Sequence, residues 1–316
     1  MQHLYDLASS QLEQPSVVTI GVFDGVHRGH QQLIRRLVDE ARATNRLAVA
    51  LTFFPHPDVV LRGLTGRYYL TTPEQRAEYL GELGIDYVIT LPFNQEFRQI
   101  RAAAFVDTLI EHLRLSSLWV GSDFAMGYQR EGNINFLLAQ GEAKGFSLQV
   151  IDLIVAESDG VISSTAIREA LLQGDVDTAR AWMGRPYALT GEVVHGDHRG
   201  RLLGFPTANM DVWDEQVIPA NGIYAGWAYL GGERFMAATN VGVRPQFDGD
   251  NITVEAYLLD FDRDIYGQHL TFTFEKYLRP EAKFESVDAL VEQINADVQA
   301  TRAYLTERAQ LSKRET

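Results

Sequence analysis

The chain has 316 residues, of which 46% are hydrophobic and 22% are charged. This composition is typical of a folded globular protein and excludes a disordered chain, a collagen-like chain and a coiled-coil rod, and the length predicts two domains. The formal net charge is −14 and there is no cysteine, which argues against nucleic acid as a partner and excludes disulfides, thiol nucleophiles and zinc–cysteine sites.

No segment of the sequence predicts export or insertion into a membrane. Residues 1–15 contain neither the basic region nor the apolar core of a signal peptide. The longest apolar runs, such as Val17–Phe23, are far shorter than the about 20 residues that span a bilayer. We therefore expect a soluble, cytoplasmic protein with no membrane partner.

The first half of the chain alternates predicted strands with predicted helices. Val17–Phe23 is β-branched and apolar, as in a strand buried on both faces, and a glycine-rich turn separates it from a helix over Gln31–Thr44. The alternation continues with strands at Leu47–Phe54, Tyr87–Leu91, Leu118–Val120 and Ser147–Leu153, and helices at Pro73–Leu83, Ala102–Leu113 and Asn133–Lys144. Such a β-α-β pattern predicts a doubly wound, Rossmann-like parallel sheet.

The pattern changes after two short predicted helices, Ser164–Gln173 and Asp177–Met183. Only strands separated by glycine and aspartate turns follow, at Tyr187–Val194, Gly222–Leu230, Arg234–Val241, Thr253–Leu259 and Leu270–Tyr277. They predict a small antiparallel β-barrel. Ser286 is a favourable N-cap for a final amphipathic helix. We place the domain boundary so that the domains span 1–183 and 184–316.

The turn after the first strand has the features of a phosphate-binding site. His27 and His30 lie three residues apart at the start of a helix, where free backbone N–H groups attract phosphate. Nearby glycines allow a phosphate to approach the backbone closely. Ligands of open α/β sheets bind beyond the carboxyl ends of the strands, so we expect these histidines to donate to phosphate oxygens as charge develops.

Three further segments are predicted at the same sheet edge. His56 follows the second strand, Asp123 and Phe124 follow a later strand, and Ser163–Arg168 opens a helix with hydroxyl groups and an arginine. Each segment alone is also typical of an ordinary cap or turn, but their coincidence at one edge favours a binding site. A metal site formed by the three histidines is a weaker alternative, because no acidic ligand lies at a suitable spacing.

The ordered segments GVFDGVHRGH, TFFPHP, VGSDFAMG and ISSTAIR resemble the adenylyltransferase half of the prokaryotic bifunctional riboflavin kinase/FAD synthetases. The resemblance implies that the FMN phosphate attacks the α-phosphate of ATP, which gives FAD and pyrophosphate without a covalent intermediate. It implies catalytic roles for His27 and His30 and flavin or nucleotide contacts by His56, Asp123 and Phe124. The implied ATP and phosphate contacts are Gly21, Phe23, Asp24, Gly25, Gly29, Ser163, Ser164, Thr165 and Arg168. Met126 stands where the family usually has phenylalanine.

The second half contains a glycine-rich segment over residues 191–209. Gly196, Gly200 and Gly204 suit a flap whose N–H groups wrap phosphates, although an ordinary hairpin turn also uses glycines. Thr207 and Asn209 alternate and therefore share one face of a strand, where their oxygen atoms could bind Mg²⁺. Glu255 is a carboxylate in an otherwise apolar strand, and it requires either a partner such as Arg244 or a catalytic task.

The segment RGRLLGFPTAN resembles the flap and nucleotide motif of riboflavin kinases. Further matching segments are Pro219–Tyr224, Asn240–Pro245, Val254–Tyr257, Tyr266–Gly267 and Leu278–Pro280, so the resemblance covers almost the whole chain. It implies a six-stranded barrel that phosphorylates the ribityl 5′-hydroxyl of riboflavin from Mg-ATP. Glu255 matches the general base, and Thr207 and Asn209 match the metal ligands. Gln246 stands where the family usually has threonine.

These observations predict a bifunctional enzyme that converts riboflavin to FMN in the barrel and FMN to FAD in the α/β domain, with ATP and Mg²⁺. The first domain alone leaves open a transferase for another phosphorylated metabolite, such as phosphopantetheine or glycerol phosphate, which the barrel motifs disfavour. A flavin-binding regulatory protein with inactive sites is disfavoured because the expected site residues are all present. The sequence leaves the oligomeric state open.

Overall fold

A computed structural model describes residues 1–152, 155–156, 160–196, 200, 203–246 and 249–312. The chain divides by its internal contacts into two compact units, Met1–Ser164 and Thr165–Thr316. Each unit has the architecture that its hydrophobic pattern predicts, a parallel sheet in the first and an antiparallel barrel in the second.

The first unit is built on a six-stranded parallel sheet with the strand order β1-β4-β3-β2-β5-β6. Its strands are β1 (Gln2–Leu4), β2 (Ser16–Ile20), β3 (Leu47–Phe54), β4 (Tyr87–Pro92), β5 (Leu115–Gly121) and β6 (Ser147–Ile151). Its helices are α1 (Arg28–Ala43), α2 (Pro57–Arg62), α3 (Pro73–Glu82), α4 (Ala102–Leu113) and α5 (Ile134–Lys144), and a short hairpin, β7 (Val155–Ala156) and β8 (Gly160–Val161), follows. The strand order reverses between β2 and β5, which is where open sheets bind their ligands.

The sheet is covered on both faces, as the doubly wound prediction requires. On one face, Val18 and Ile20 of β2 pack in a core with apolar residues of α4 and α5. On the other face, Val17 of the same strand packs with Leu33 and Leu37 of α1 and with apolar residues of α3. Successive residues of β2 therefore lie in different cores, which explains why the strand is apolar throughout.

The structure corrects two of the predicted boundaries near the first turn. Strand β2 ends at Ile20 rather than at Phe23, because Phe23 adopts a left-handed φ of 53° that no strand accommodates. Helix α1 begins at Arg28 rather than at Gln31, with His27 as its N-cap. The three-residue β1 and the six-residue α2 were not predicted, because such short elements leave little periodicity to read.

The second unit is a closed antiparallel barrel with the strand order β10-β13-β12-β11-β14-β9. Its strands are β9 (Tyr187–Val194), β10 (Ala208–Val212), β11 (Gly222–Leu230), β12 (Glu233–Gln246), β13 (Gly249–Leu258) and β14 (His269–Arg279). The C-terminal helix α8 (Val287–Ser312) begins at the predicted cap, since Ser286 Oγ accepts from Ala289 N at 3.1 Å. Strand β10 begins at Ala208, so it contains Asn209 but not Thr207, the two residues that were expected on one strand.

The two helices before the barrel, α6 (Ser164–Leu172) and α7 (Val176–Met183), lie almost wholly in the second unit. Helix α7 is joined to β14 by Lys276 Nζ to Asp177 Oδ2 at 2.7 Å and Arg180 Nη1 to Glu275 Oε2 at 3.3 Å. The division by contacts therefore falls between Ser164 and Thr165, earlier than the boundary after residue 183. Where the two activities separate along the chain stays a prediction.

Candidate active sites

The paired histidines of the first unit lie together at the N-terminus of α1. The rings of His27 and His30 stack with centroids 3.6 Å apart and an interplanar angle of 18°. His27 Nδ1 accepts a hydrogen bond from the backbone N–H of His30 at 3.4 Å. A neutral His27 ring therefore carries its proton on Nε2, which makes Nε2 a donor. A donor beside a helix N-terminus is suited to anionic oxygens.

Two glycines are required by the packing of the turn that leads into α1. A Cβ at residue 21 would lie 2.7 Å from Cζ of the Phe23 ring. Gly25 has a φ of +79°, and a Cβ there would lie 2.7 Å from Leu70 Cδ1. The Phe23 ring meets the His30 ring edge-on at 5.2 Å, so the compact turn also fixes one side of the histidine pair.

Asp24 occupies a different environment from that of a phosphate ligand. Its buried carboxylate accepts from Leu70 N at 3.0 Å, Thr71 N at 3.1 Å and Thr71 Oγ1 at 3.2 Å. The side chain thus holds the turn against the segment before α3, and any contribution to phosphate binding has to come from its backbone. The Asp24 carbonyl accepts from Ser164 Oγ at 2.9 Å, so the structure brings Ser164 to this turn.

A cavity of about 740 Å³ lies beside the turn, at the carboxyl ends of the strands, and the predicted residues Gly21, His56, Asp123 and Phe124 all line it. Its wall is strongly aromatic, since Phe53 lies 5.8 Å from Phe93 and 5.4 Å from Phe97 between ring centroids. Met126 is also part of the wall. Aromatic walls with a few polar groups are suited to a flat ring system.

The remaining predicted residues of the first site occupy positions at helix starts or in helices. His56 is an N-cap, because its Nδ1 accepts from Asp58 N at 3.0 Å at the start of α2. Gly29 lies in the first turn of α1, and Ser163 is half-buried directly before α6. Thr165 and Arg168 belong to the second unit, where Arg168 is buried in α6. The phosphate-binding roles of these residues stay predictions.

The barrel places three polar side chains in one row across neighbouring strands. Glu255 of β13 pairs in register with Asn209 of β10 on one side and with Asn240 of β12 on the other. Residues directly opposite each other have Cβ atoms about 4.5–5.5 Å apart. All three are half-buried, while their chain neighbours, such as Val254 and Ala256, are buried in the barrel. The row therefore lies on the outer face.

Thr207 and Asn209 lie close together, although Thr207 precedes β10 and is not on the predicted strand face. Both line a cavity of about 270 Å³ whose other wall includes Asp262, Asp264 and Tyr266. The alternative partner of Glu255, Arg244, pairs in register with Asn251, and the side chain of Arg244 lies outside the described part of the structure, as does that of Gln246.

Of the flap glycines, Gly196 lies directly against the predicted ligand Asn209, whereas a Cβ at Gly200 would first meet the Phe205 carbonyl, at 2.3 Å. A Cβ at Gly196 would lie 2.4 Å from Asn209 Nδ2, and one at Gly200 would lie 3.5 Å from Thr207 Oγ1. Gly204 has a φ of +86° and open space beside it. The flap residues 197–199 and 201–202 lie outside the described residues. The absence of a side chain at Gly196 thus allows the backbone to approach Asn209 closely. This explains the glycine at position 196 more specifically than turn formation does.

Three polar residues with evident structural tasks were missed. Arg76 of α3 and Thr52 of β3 are fully buried behind the first turn, and Asn240 completes the row in the barrel. A signal existed for Arg76, because it falls on the same buried face of α3 as Ala77 and Leu80, where a charge is unexpected. Thr52 and Asn240 belong to two of the segments that carry the family resemblance, TFFPHP and Asn240–Pro245, but the sequence alone indicated no role for either residue.

Neither a cluster of metal-binding side chains nor a membrane-spanning helix is found among the described residues. Within those residues, no group of three His, Asp or Glu side chains could hold a metal ion, so the three-histidine metal site gains no support. Among the helices of the described ranges, none is long and apolar enough to cross a membrane.

The two halves of the chain match two different family models. The model for FAD synthetase matches residues 9–166, and the model for riboflavin kinase matches residues 183–305. The first match covers the parallel sheet except β1, and the second covers the barrel. Every predicted site residue except Arg168 therefore lies within a matched region.

Similar proteins match over nearly the whole chain. A bifunctional riboflavin kinase/FMN adenylyltransferase of Pseudomonas fluorescens is 40% identical over 91% of this chain and 92% of its own length. The enzyme of the same name from Listeria monocytogenes is 37% identical over 91% and 92%. A solved structure described as a macrolide-efflux protein from Streptococcus pneumoniae is 31% identical, with a TM-score of 0.86 over 95% of this chain and 98% of that one. The chain belongs to the family of bifunctional riboflavin kinase/FMN adenylyltransferases.

Proposed function

We propose that the chain makes FAD from riboflavin in two steps at two separate sites. In the barrel, the 5′-hydroxyl of riboflavin attacks the γ-phosphorus of ATP, and FMN and ADP are formed. In the first unit, the phosphate of FMN attacks the α-phosphorus of ATP, and FAD and pyrophosphate are formed. The observation that carries the proposal is the pairing of a histidine-bearing phosphate turn with an adjacent aromatic cavity in the unit that matches FAD synthetase.

For adenylyl transfer, the aromatic cavity takes the isoalloxazine ring of FMN. Phe53, Phe97 and Phe124 supply flat apolar surface, which favours a flavin over the flexible chain of phosphopantetheine or the small glycerol phosphate. His27 and His30 at the N-terminus of α1 receive the triphosphate of ATP and stabilise the charge that moves toward the leaving group. By motif, Ser163, Ser164, Thr165 and Arg168 hold the leaving pyrophosphate.

For the kinase step, Glu255 is the general base that takes the proton of the 5′-hydroxyl. Its position between Asn209 and Asn240 supports this role, because amide groups on both sides can orient the carboxylate by hydrogen bonds. Gly196, Gly200 and Gly204 form the flap over the ATP phosphates. The close approach of residue 196 to Asn209 supports a flap that lies near the proposed metal ligands.

The residues of the barrel site fit Mg²⁺. Thr207 and Asn209 offer a hydroxyl and an amide oxygen in one cavity, and oxygen atoms are the ligands that this ion prefers. Within the described residues, Asn240 Oδ1 is buried without a hydrogen-bond partner, so a further oxygen acceptor lies in the same row. We assign Thr207 and Asn209 as the ligands. The ion would neutralise charge on the ATP phosphates during transfer.

Riboflavin, FMN and ATP are accordingly the partners that we propose, with no requirement for nucleic acid or a membrane. Both steps consume ATP, and we place the enzyme in the cytoplasm for that reason. Cell fractionation followed by assay of FAD formation would test the location.

The direct test is to incubate the purified chain with riboflavin, ATP and MgCl₂ and to separate the flavins by chromatography. We expect FMN to appear first and FAD to follow. Formation of FMN alone would contradict the proposed adenylyl transfer, and an absence of both products would contradict the whole proposal. Incubation with phosphopantetheine or glycerol phosphate in place of the flavin should yield no adenylylated product.

A further inference from the structure

Arg76 of helix α3 is an unusual side chain for the interior of a protein. It has no solvent-exposed surface, and it is the largest of the fully buried side chains. Its Nη1 donates to Thr52 Oγ1 at 2.9 Å and to the Phe53 carbonyl at 3.1 Å. Within the described residues, its Nε and Nη2 have no hydrogen-bond partner. Burying a guanidinium so incompletely paired is unfavourable, so its presence calls for a reason other than stability.

The hydrogen bonds of Arg76 lead to the phosphate turn. Thr52 Oγ1 accepts from Arg76 and donates its own proton to the Val22 carbonyl at 2.8 Å. A hydroxyl has one proton, and the guanidinium has no lone pair to accept it, so the arginine fixes the direction in which the hydroxyl donates. Val22 lies between the end of β2 and the start of α1.

This contact sets the orientation of one peptide group in the turn. The C=O and N–H of a trans peptide point in opposite directions. With the Val22 carbonyl turned inward to the fully buried Thr52, the N–H of Phe23 points outward from the sheet edge. Phe23 holds a left-handed φ of 53° in that position, and its ring contacts His30. The turn therefore adopts an unfavourable backbone conformation that requires support from its surroundings.

The charge of Arg76 also faces the turn. Burial lowers the pKa of Arg76, and the strongest opposing influence is the carboxylate of Asp24. Asp24 in turn anchors the turn through Leu70 and Thr71. The turn is thus supported by a carboxylate on one side and by a hydrogen-bonded guanidinium on the other.

We propose that Arg76 is a positioning residue for adenylyl transfer, which holds the Gly21–Asp24 turn in its phosphate-binding conformation through Thr52 and the Val22 carbonyl. It touches neither nucleotide nor flavin. The inference rests on the proposed location of the adenylyl-transfer site at this turn. It predicts that the arginine is kept for activity at no gain in stability.

The test uses the full chain with Arg76→Met, Arg76→Lys, Thr52→Val and Thr52→Ser, assayed for FAD formation from FMN and for FMN formation from riboflavin. Arg76→Met and Thr52→Val should lower kcat/KM for FAD formation about 10- to 100-fold, mainly through kcat, because the turn is misplaced while the flavin cavity remains. Arg76→Lys and Thr52→Ser retain a donor or a hydroxyl and should recover most of the loss. The kinase rate of every variant should stay within about twofold of the parent.

The melting temperature of each variant distinguishes positioning from stabilisation, because loss of a side chain that only stabilises the fold would lower it. Thr19→Val is the matched control, because Thr19 is a fully buried threonine of the neighbouring strand β2 whose hydroxyl has no partner among the described residues. We expect Arg76→Met to melt no lower than the parent, as is common when a buried ion is replaced by an apolar side chain. Thr19→Val should leave FAD formation unchanged.

Two outcomes would overturn the inference. One is a Thr52→Val variant that forms FAD as fast as Thr19→Val. The other is a folded Arg76→Met variant that forms FAD at the parental rate. If Arg76→Met does not fold, the FAD formation rates of Thr52→Val and Thr52→Ser test the inference without it. His30→Ala distinguishes failure of the proposed site from failure of the role of Arg76. Full FAD formation by His30→Ala would refute the location of the adenylyl-transfer site at this turn. An inactive His30→Ala together with a fully active Thr52→Val would refute only the role of Arg76.

Discussion

At the scale of single residues, the proposed barrel site has one carboxylate in register between two amides. Glu255 has Asn209 and Asn240 as its cross-strand neighbours, so both sides of its side chain face groups that can donate or accept hydrogen bonds. A carboxylate in such surroundings can be oriented toward a substrate hydroxyl. The proposed role of Glu255 as the base predicts that the kinase step tolerates little change in the chemistry of this side chain, even when its shape is kept.

Replacement of Glu255 by glutamine keeps the shape of the side chain and removes the proposed base. We expect Glu255→Gln to lower the rate of FMN formation from riboflavin by about 10²–10⁴-fold, the usual contribution of a general base. FAD formation from supplied FMN should be unchanged, because it takes place in the other unit. The measurement is the ratio of flavin products by chromatography, with circular dichroism to establish that the variant is folded.

His30→Ala is the counterpart of this variant in the first unit. It removes one ring of the stacked pair at the N-terminus of α1, so it should accumulate FMN and make little FAD. A folded Glu255→Gln variant that lost both activities equally would contradict two separate sites and would require one composite site instead.

At the scale of elements, Asp86 joins the end of one helix to two strands. Its carboxylate accepts from Arg42 Nη1 at 2.7 Å and Arg42 Nη2 at 2.9 Å, and from the backbone N–H of Ala48 at 2.8 Å. Burial acts to raise the pKa of Asp86, but the hydrogen bonds from Arg42 and Ala48 outweigh it, so that the pKa lies below its ordinary value. A lowered pKa means that the ionised form stabilises the fold.

We expect Asp86→Asn to lower the free energy of unfolding by about 1–2 kcal/mol at pH 7. Because the folded-state pKa is lowered, this stabilisation is complete above the unfolded pKa of about 3.9 and is lost as the pH falls through the folded pKa. Urea denaturation at pH 7 and at pH 3 measures the difference. The exposed Asp39→Asn on α1 is the control, and a gap between Asp86→Asn and the parent that persists unchanged at pH 3 would contradict this account.

At the scale of the whole molecule, helix α7 determines where the chain can be cut. Its buried residues Val176, Ala179 and Met183 are apolar, and it is joined to β14 by the Lys276–Asp177 and Arg180–Glu275 pairs. A fragment that begins at residue 184 lacks this helix and exposes the apolar surface that it covers, at a cost of about 1.5–3 kcal/mol for each large side chain.

We therefore expect fragment 165–316 to melt at a higher temperature than fragment 184–316, and both to phosphorylate riboflavin where folded. Fragment 1–183, which contains all the motifs of the first site, should adenylylate FMN. Thermal unfolding and flavin assays on the three fragments measure this. Equal melting temperatures for the two barrel fragments would show that α7 contributes nothing to the barrel.

Metal removal is a second test on the whole molecule. The chain contains only four lysines, and the proposed function therefore assigns the neutralisation of charge on the transferred groups to Mg²⁺, arginine and backbone N–H groups. We expect EDTA to abolish both FMN and FAD formation, and excess MgCl₂ to restore them. Full turnover of either step in EDTA would contradict the metal requirement for that step.

Much of this protein follows from local sequence. The change from a helix-and-strand alternation to strands alone predicted a parallel sheet followed by a barrel, because hydrophobic periodicity is set by neighbouring residues. The ordered motifs predicted the family for the same reason, since each lies within a few residues of chain. The stacking of His27 on His30 and the shared cavity of Thr207 and Asn209 also depend only on short spacings.

What only the tertiary structure decided are relations between distant segments. The row of Asn209, Glu255 and Asn240 follows from strand register, which one sequence does not specify for strands far apart in the chain. The carboxylate of Asp24 turns to residues 70–71 and the guanidinium of Arg76 reaches Thr52, because buried polar groups take whichever partners the packed fold brings within reach. Those long-range hydrogen bonds, and no local pattern, hold the turn at which the chain is proposed to bind phosphate.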